Sequence, residues 1–110
     1  MKKHYNAAQS NINKCIELNQ QDGYLSGELF AYMAQAYLDY ARIGKVTPET
    51  HKNIQQLFIQ NKVYTYFKLP LAIMENNTSA IDNIKYDYDW IDFEHTEKIC
   101  RRFLSKLRES

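Results

Sequence analysis

The chain has 110 residues, which is the length of one domain and too short for a catalytic domain with a separate binding domain. Its 14 lysines and arginines nearly balance 13 acids, so a net charge of +1 gives no global attraction to nucleic acid or membranes. Hydrophobic residues make up 45%, which excludes a disordered chain. Nine tyrosines beside only three glycines and two prolines favour helices over a turn-rich β fold. We expect a single α-helical domain spanning residues 1–110.

Two amphipathic helices are predicted at the start of the chain. In residues 3–20 apolar side chains recur every three or four positions, which is typical of a helix with one buried stripe. That stripe comprises Tyr5, Ala8, Ile12, Cys15, Ile16 and Leu18. After a polar break, residues 25–43 form the most hydrophobic element and are expected to be the central helix. Asp22 and Ser26 are its candidate N-caps, and Gly44 stands where a left-handed residue often ends a helix.

Threonine and proline mark the next helix starts. Thr47 followed by Pro48 predicts an N-cap and a first helical residue, so a third helix begins there. Its apolar pattern is compatible with helix until Leu69, where the following Pro70 is expected to disfavour helical geometry. Pro70 itself suits the first turn of a short apolar helix over residues 71–74.

The end of the chain contains an irregular stretch followed by a helix. Residues 80–89 predict one helical turn around Ile81 and Ile84, followed by extended chain. The last helix is predicted from a stripe and is capped by Asp89 or Asp92. The stripe consists of Phe93, Thr96, Ile99, Cys100, Phe103, Leu104 and Leu107. The predicted fold is all-α: a compact single-domain bundle of about four to five helices, with an irregular segment before the last helix.

No motif in the sequence indicates catalysis or a bound cofactor. His4, His51 and His95 fall in separate predicted elements, without the spacing of a metal site. Cys15 and Cys100 are interpreted as free thiols acting as small core residues. The glycines form no phosphate-binding loop, and no run approaches the length of a membrane span. We therefore expect a protein that is not an enzyme, holds no cofactor or metal, is cytoplasmic and does not enter a membrane.

The residues from Asp82 to Glu97, called here the acid–aromatic segment, form the most distinctive part of the sequence. Six acids there accompany a single lysine, and aromatic side chains alternate with carboxylates. In an extended conformation this period of two places the aromatic rings on one side and the acids on the other. Such a surface provides large anchoring side chains and attracts a basic partner. The predicted partner-binding residues are Asp87, Tyr88, Asp89, Trp90, Asp92 and Glu94. The alternative is a structural connector with solubilising acids.

These features predict a small protein-binding domain that inhibits a partner. The preferred hypothesis is an immunity protein that neutralises a nuclease-type toxin, or a phage-type inhibitor, because nuclease active sites are basic clefts. One alternative is a nucleic-acid-binding regulator that uses the basic last helix. Its cations are Lys98, Arg101, Arg102, Lys106 and Arg108. Another is a homodimer or assembly protein that pairs through exposed tyrosines and phenylalanines. Tyr32 and Tyr40 border the apolar stripe of the second helix, where a packed ring with a wet hydroxyl is the expected arrangement.

Overall fold

A computed structural model describes residues 4–60, 67–87 and 92–109, of which residues 58–60 and 87 are described by backbone alone. The described residues form six α-helices and contain no strand. In chain order these are α1 (Tyr5–Asp22), α2 (Leu25–Ile43), α3 (Pro48–Gln60), α4 (Lys68–Met74), α5 (Thr78–Asp87) and α6 (Phe93–Glu109). The all-α prediction is confirmed, whereas the predicted count of four to five helices is too low.

Helix α2 occupies the centre of the fold, as predicted, because it packs against α1, α3 and α6. One side of it enters the main core, whose buried members are Leu29, Met33, Ala36, Val46, Ile54, Leu57, Leu71, Met74 and Leu104. Gly44 ends the helix with a φ of 76°, and its N–H donates to the Tyr40 carbonyl at 2.9 Å. The predicted N-caps are wrong, since Asp22 still belongs to α1 and Ser26 already lies within α2.

Helix α1 differs from its prediction because none of its residues is buried. It packs chiefly against α2 and runs antiparallel to it, so only one side of its apolar stripe is covered. The Tyr5 hydroxyl donates to the Ala41 carbonyl at 3.2 Å, which ties the start of α1 to the end of α2. Cys15 and Leu18, which were predicted in the buried stripe, are exposed.

The start of α3 is formed as predicted. The hydroxyl of Thr47 accepts the backbone N–H of Thr50 at 3.3 Å, which is the N-cap hydrogen bond, and Pro48 is the first helical residue. The predicted continuation of this helix towards Leu69 crosses residues 61–66, which lie outside the described residues.

Helices α4 and α5 correct two predictions. Leu69 is helical although it precedes Pro70, which is the third residue of α4, where the missing N–H would have no helical acceptor in any case. Of the stretch predicted as one turn and extended chain, residues 80–87 belong to the ten-residue helix α5, and residues 88–89 lie outside the described residues. Asn77 caps this helix, since its side-chain oxygen accepts a hydrogen bond from the Ala80 N–H at 3.1 Å. A second small core stabilises this pair and contains Leu69, Ala72, Ile81, Ile84 and Phe93.

Helix α6 closes the fold by contacting both α2 and α4. Phe93 is buried in the second core and Leu104 in the first, so the helix is anchored at both cores. At its end the Arg108 guanidinium donates to the carbonyls of Tyr40 and Ala41 at 3.2 and 3.1 Å. A cation thus satisfies carbonyls at the negative end of α2. The ring of Phe103 meets that of Tyr37 before Arg108 meets Tyr40, so contacts advance in the same order along both helices and the two run in the same general direction.

Candidate functional sites

The structure describes the acid–aromatic segment only in part. Asp87 is the last residue of α5, and Tyr88, Asp89 and Trp90 lie outside the described residues. Of the predicted partner-binding residues, Asp92 and Glu94 have described side chains, and both are exposed at the start of α6. The predicted period of two does not extend over Tyr86 and Asp87, because both are helical. The hydrogen bonds within α5 and the burial of Ile81 and Ile84 stabilise helix there instead.

Tyr86 is the most exposed large hydrophobic side chain among the described residues, with 85% of its surface accessible. It is the penultimate residue of α5 and therefore adjoins the predicted partner-binding residues in sequence. A tyrosine this exposed contributes little to the stability of the monomer. It remains available as an anchor for another molecule.

Asp92 has a structural role as well as an exposed carboxylate. Its Oδ1 atom accepts the backbone N–H of His95 at 3.2 Å, which confirms it as the N-cap of α6. Its carbonyl oxygen accepts the Thr96 hydroxyl at 3.0 Å. Glu94 follows in the first turn, where a negative charge suits the helix dipole. Two acids of the predicted surface therefore also stabilise the start of α6.

The basic face of α6 is partly committed to contacts within the fold. Arg101 pairs at 2.9 Å with Glu97, which lies four residues earlier on the same helix. Arg108 is hydrogen-bonded to the end of α2. These contacts reduce the charge that α6 can offer to phosphates. Arg102 lies on the exposed side of the helix, where Lys106 adds a second positive charge.

An apolar face lies where α2 and α6 run side by side. Phe30 is 52% exposed, Ile99 53% and Phe103 47%, although Ile99 and Phe103 were predicted in the apolar stripe of the last helix. Tyr37 joins the two helices, since its ring meets that of Phe103 edge to face at 5.5 Å between centroids. Sequence periodicity identifies these positions as apolar but does not show that neighbouring helices leave them uncovered.

The two boundary tyrosines of α2 are half-buried and pack against the main core. The Tyr32 hydroxyl accepts a hydrogen bond from Gln20 at 3.3 Å. Burial, together with the nearby charge of Glu28, raises the pKa of Tyr32. Tyr40 packs against the same core, so both rings are boundary side chains, in agreement with the expected arrangement.

A buried carboxylate organises a polar cleft between α1, α2 and α3. Asp39 is only 7% exposed, and its Oδ2 atom accepts the hydroxyls of Thr47 and Thr50 at 3.0 and 2.8 Å. Its Oδ1 atom accepts the Gln35 amide at 2.9 Å, and Gln35 in turn exchanges two hydrogen bonds with Gln9 of α1. These groups line a cleft of about 450 Å³. Since Asp39 is satisfied within the fold, its evident role is to join three helices.

A smaller cavity of about 230 Å³ lies between α3, α4 and α5. His51 and Glu75 line it, with Nδ1 of His51 2.5 Å from Oε2 of Glu75. Nδ1 is buried, and no hydrogen bond of good geometry satisfies it. The described residues that line this cavity include no serine, threonine or cysteine nucleophile.

The two cysteines are free thiols in different surroundings. Cys15 is exposed on α1, whereas Cys100 is half-buried against the main core. Burial raises the pKa of the Cys100 thiol, and the charge of Arg101 only partly offsets this effect. A thiol held protonated by burial is a poor nucleophile, so Cys100 packs as a small apolar residue.

The described residues contain no group of three or more histidine, cysteine or acidic side chains arranged to hold a metal ion. Within the same ranges, no helix combines the length and apolar character needed to cross a bilayer. Comparison with protein-family models gives no match, and comparisons with curated proteins and with solved structures give none either.

Proposed function

We propose that the chain is a small protein-binding domain that inhibits a partner by covering part of its surface. The preferred partner is a nuclease-type toxin, which would make this an immunity protein; a phage-type inhibitor uses the same chemistry. The observation that carries the proposal is the 85% exposure of Tyr86 beside a run of carboxylates. Exposed aromatic rings anchor protein interfaces, and acids attract a basic partner.

The described acids support this proposal by their position. Asp92 and Glu94 are exposed at one end of the well-anchored helix α6. A rigid element that presents charged groups loses little conformational entropy on binding. The basic cleft with which a nuclease binds phosphates is a suitable target for such groups. The proposed contact residues remain Asp87, Tyr88, Asp89, Trp90, Asp92 and Glu94.

The test uses the product of the gene adjacent to the one for this chain, purified and mixed with it. We expect a complex with a basic nuclease, loss of nuclease activity and weaker binding at higher salt. The triple variant Asp87→Asn, Asp89→Asn and Asp92→Asn should weaken binding strongly, because it removes three carboxylates while asparagine at position 92 can still cap α6.

A matched control neutralises two acids elsewhere, Asp22→Asn at the end of α1 and Glu49→Gln in α3. These changes should leave binding and its salt dependence unchanged. If the triple variant binds the nuclease as well as the unmodified chain does, at low and high salt, the proposed surface is wrong. If the adjacent gene product neither binds nor is inhibited, the proposed function is contradicted.

A further inference from the structure

We propose that a second surface, formed by α2 and α6, binds an acidic amphipathic helix of a partner protein. This aromatic–basic face consists of Phe30, Ala34, Tyr37, Ile99 and Phe103, with Arg102 and Lys106 along its edge. It is distinct from the surface discussed above, because Phe103 follows Glu94 by nine residues, about 13 Å along the helix axis. The face therefore extends from the middle of α6 towards its C-terminal end, whereas Asp92 and Glu94 lie at its start.

The apolar part of the face is continuous. Phe30, Ala34 and Tyr37 share one side of α2, since they are four and three residues apart. Ile99 and Phe103 are four residues apart on α6, and the ring contact between Phe103 and Tyr37 connects the two rows. Phe30 extends the face further through its edge-to-face contact with Phe67 at 5.0 Å. Adjoining apolar side chains that are about half exposed are typical of protein-binding sites.

The length of the apolar row on α2 suits a helix. The ring contact between Tyr37 and Phe103 places the apolar row of α6 beside it. The row from Phe30 to Tyr37 spans seven residues, or about 10 Å, which equals two helical turns. A helix presenting apolar residues at positions i, i+3 or i+4, and i+7 would contact the whole row.

The charges at the edge of the face determine which charge the partner should carry. On the surface of α6 the neighbours of Ile99 and Phe103 at three- and four-residue spacing are neutral or basic. The exposed ones among them are His95, Thr96, Arg102 and Lys106. None of these is acidic, so an acidic partner gains favourable contacts along this edge. A second copy of the chain paired face to face would bring like charges together.

Protein is favoured over nucleic acid by the composition of the face. Aliphatic Ile99 and Ala34 separate the rings, so the successive stacking platforms that bind single-stranded bases are absent from this described surface. The ring of Phe103 also contacts Tyr37. Arg101 and Arg108, which would add phosphate contacts, are engaged with Glu97 and with the end of α2.

The test measures binding of a fluorescent amphipathic peptide of about 18 residues, long enough to form a helix on contact. Leucine occupies its apolar positions, and glutamate and alanine occupy the rest. We expect saturable binding to the full chain by anisotropy, weakening as salt rises. A control peptide with lysine in place of every glutamate should not bind.

Two variants test whether the peptide binds at this face. Phe103→Ala is expected to weaken binding about tenfold, the effect of truncating an anchor at the centre of an interface. Arg102→Glu should weaken binding and reduce its salt dependence. The matched controls are Leu18→Ala, an apolar residue of similar exposure on α1, and Lys52→Glu, a charge reversal on α3. Both should leave binding unchanged.

Circular dichroism melts show whether each variant is folded, and Ile99→Ser replaces Phe103→Ala if the latter is not. The proposal is wrong if the lysine peptide binds equally well, or if Leu18→Ala weakens binding as much as Phe103→Ala does. Binding of anionic vesicles or an oligothymidine, but not of the acidic peptide, would also overturn it. So would a dimer in sedimentation that Phe103→Ala dissociates.

Discussion

Helices α1 and α6 both lie against the central helix α2, but they are held there in different ways. Helix α1 has no buried residue and is joined to α2 by half-buried side chains and by amide pairs such as Gln9 and Gln35. Helix α6 places Phe93 and Leu104 in two cores and caps the end of α2 with Arg108. We infer that α6 is the rigid element and that α1 opens more readily, which suits α6 to carry both proposed surfaces.

The largest expected effect comes from removing the core anchor of α6. Leu104→Ala deletes a side chain that is 1% exposed, so it should lower the free energy of unfolding by about 2–5 kcal/mol. Leu18→Ala on α1 is the matched control, and its effect should stay within about 0.5 kcal/mol. Chemical denaturation measures both. Equal losses would contradict the difference between the two helices.

The second-largest loss of stability is expected at the buried carboxylate of Asp39 in the polar cleft. Asp39→Ala leaves the hydroxyls of Thr47 and Thr50 without their carboxylate acceptor inside the fold. We expect a loss of about 2–3 kcal/mol, the cost of buried polar groups left without partners. Asp39→Asn retains one acceptor oxygen and should cost less. A neutral outcome for Asp39→Ala in urea unfolding would mean that water replaces the carboxylate at no cost.

Substitution of the glycines that end α1 and α2 compares the two helix ends directly. Gly23 and Gly44 both have a positive φ, so alanine at either should cost about 1 kcal/mol or more. A methyl group at Gly44 would also lie 3.3 Å from the Arg108 guanidinium, whereas nothing lies within 4 Å at Gly23. Thermal melts should therefore show the larger loss for Gly44→Ala. The reverse order would show that Arg108 moves aside freely.

A smaller effect is expected at alkaline pH. Burial raises the pKa of Tyr37 above its ordinary value of 10.0, and the neighbouring Cys100 adds to the shift. Above about pH 10 the unfolded chain releases this proton first, so the folded state loses stability as pH rises through the raised pKa. Tyr37→Phe should make the fall in stability above pH 10 less steep. An identical pH profile for the variant would show that Tyr37 does not cause the loss of stability.

The sequence predicted correctly those helix ends and caps that depend on nearby residues. The limits of α2, the Thr47 cap, the Gly44 end and the Asp92 cap all depend on residues within one turn of the helix end, and each is confirmed. Helix α5 was predicted as only one turn, because its cap is Asn77 and its stability depends on burying Ile81 and Ile84 against α4.

The two candidate surfaces could be predicted from the sequence to different degrees, because one is contiguous in the chain and the other is assembled from two helices. The acid–aromatic segment is contiguous in sequence and could be recognised there. The aromatic–basic face is assembled from α2 and α6, and the exposure of Phe30 and Phe103 depends on which helices cover them. Periodicity identifies an apolar stripe, but only the packing of neighbouring helices determines how much of that stripe is buried.

Native-state hydrogen exchange tests the central claim, that α6 is firmly held and α1 is not, most directly. It compares the backbone amides in the middle turns of each helix, residues 12–16 in α1 and 100–104 in α6. We predict that the α1 amides exchange through local opening at a lower free energy, while those of α6 exchange only near global unfolding. Equal protection in the two helices, or stronger protection in α1, would contradict the claim.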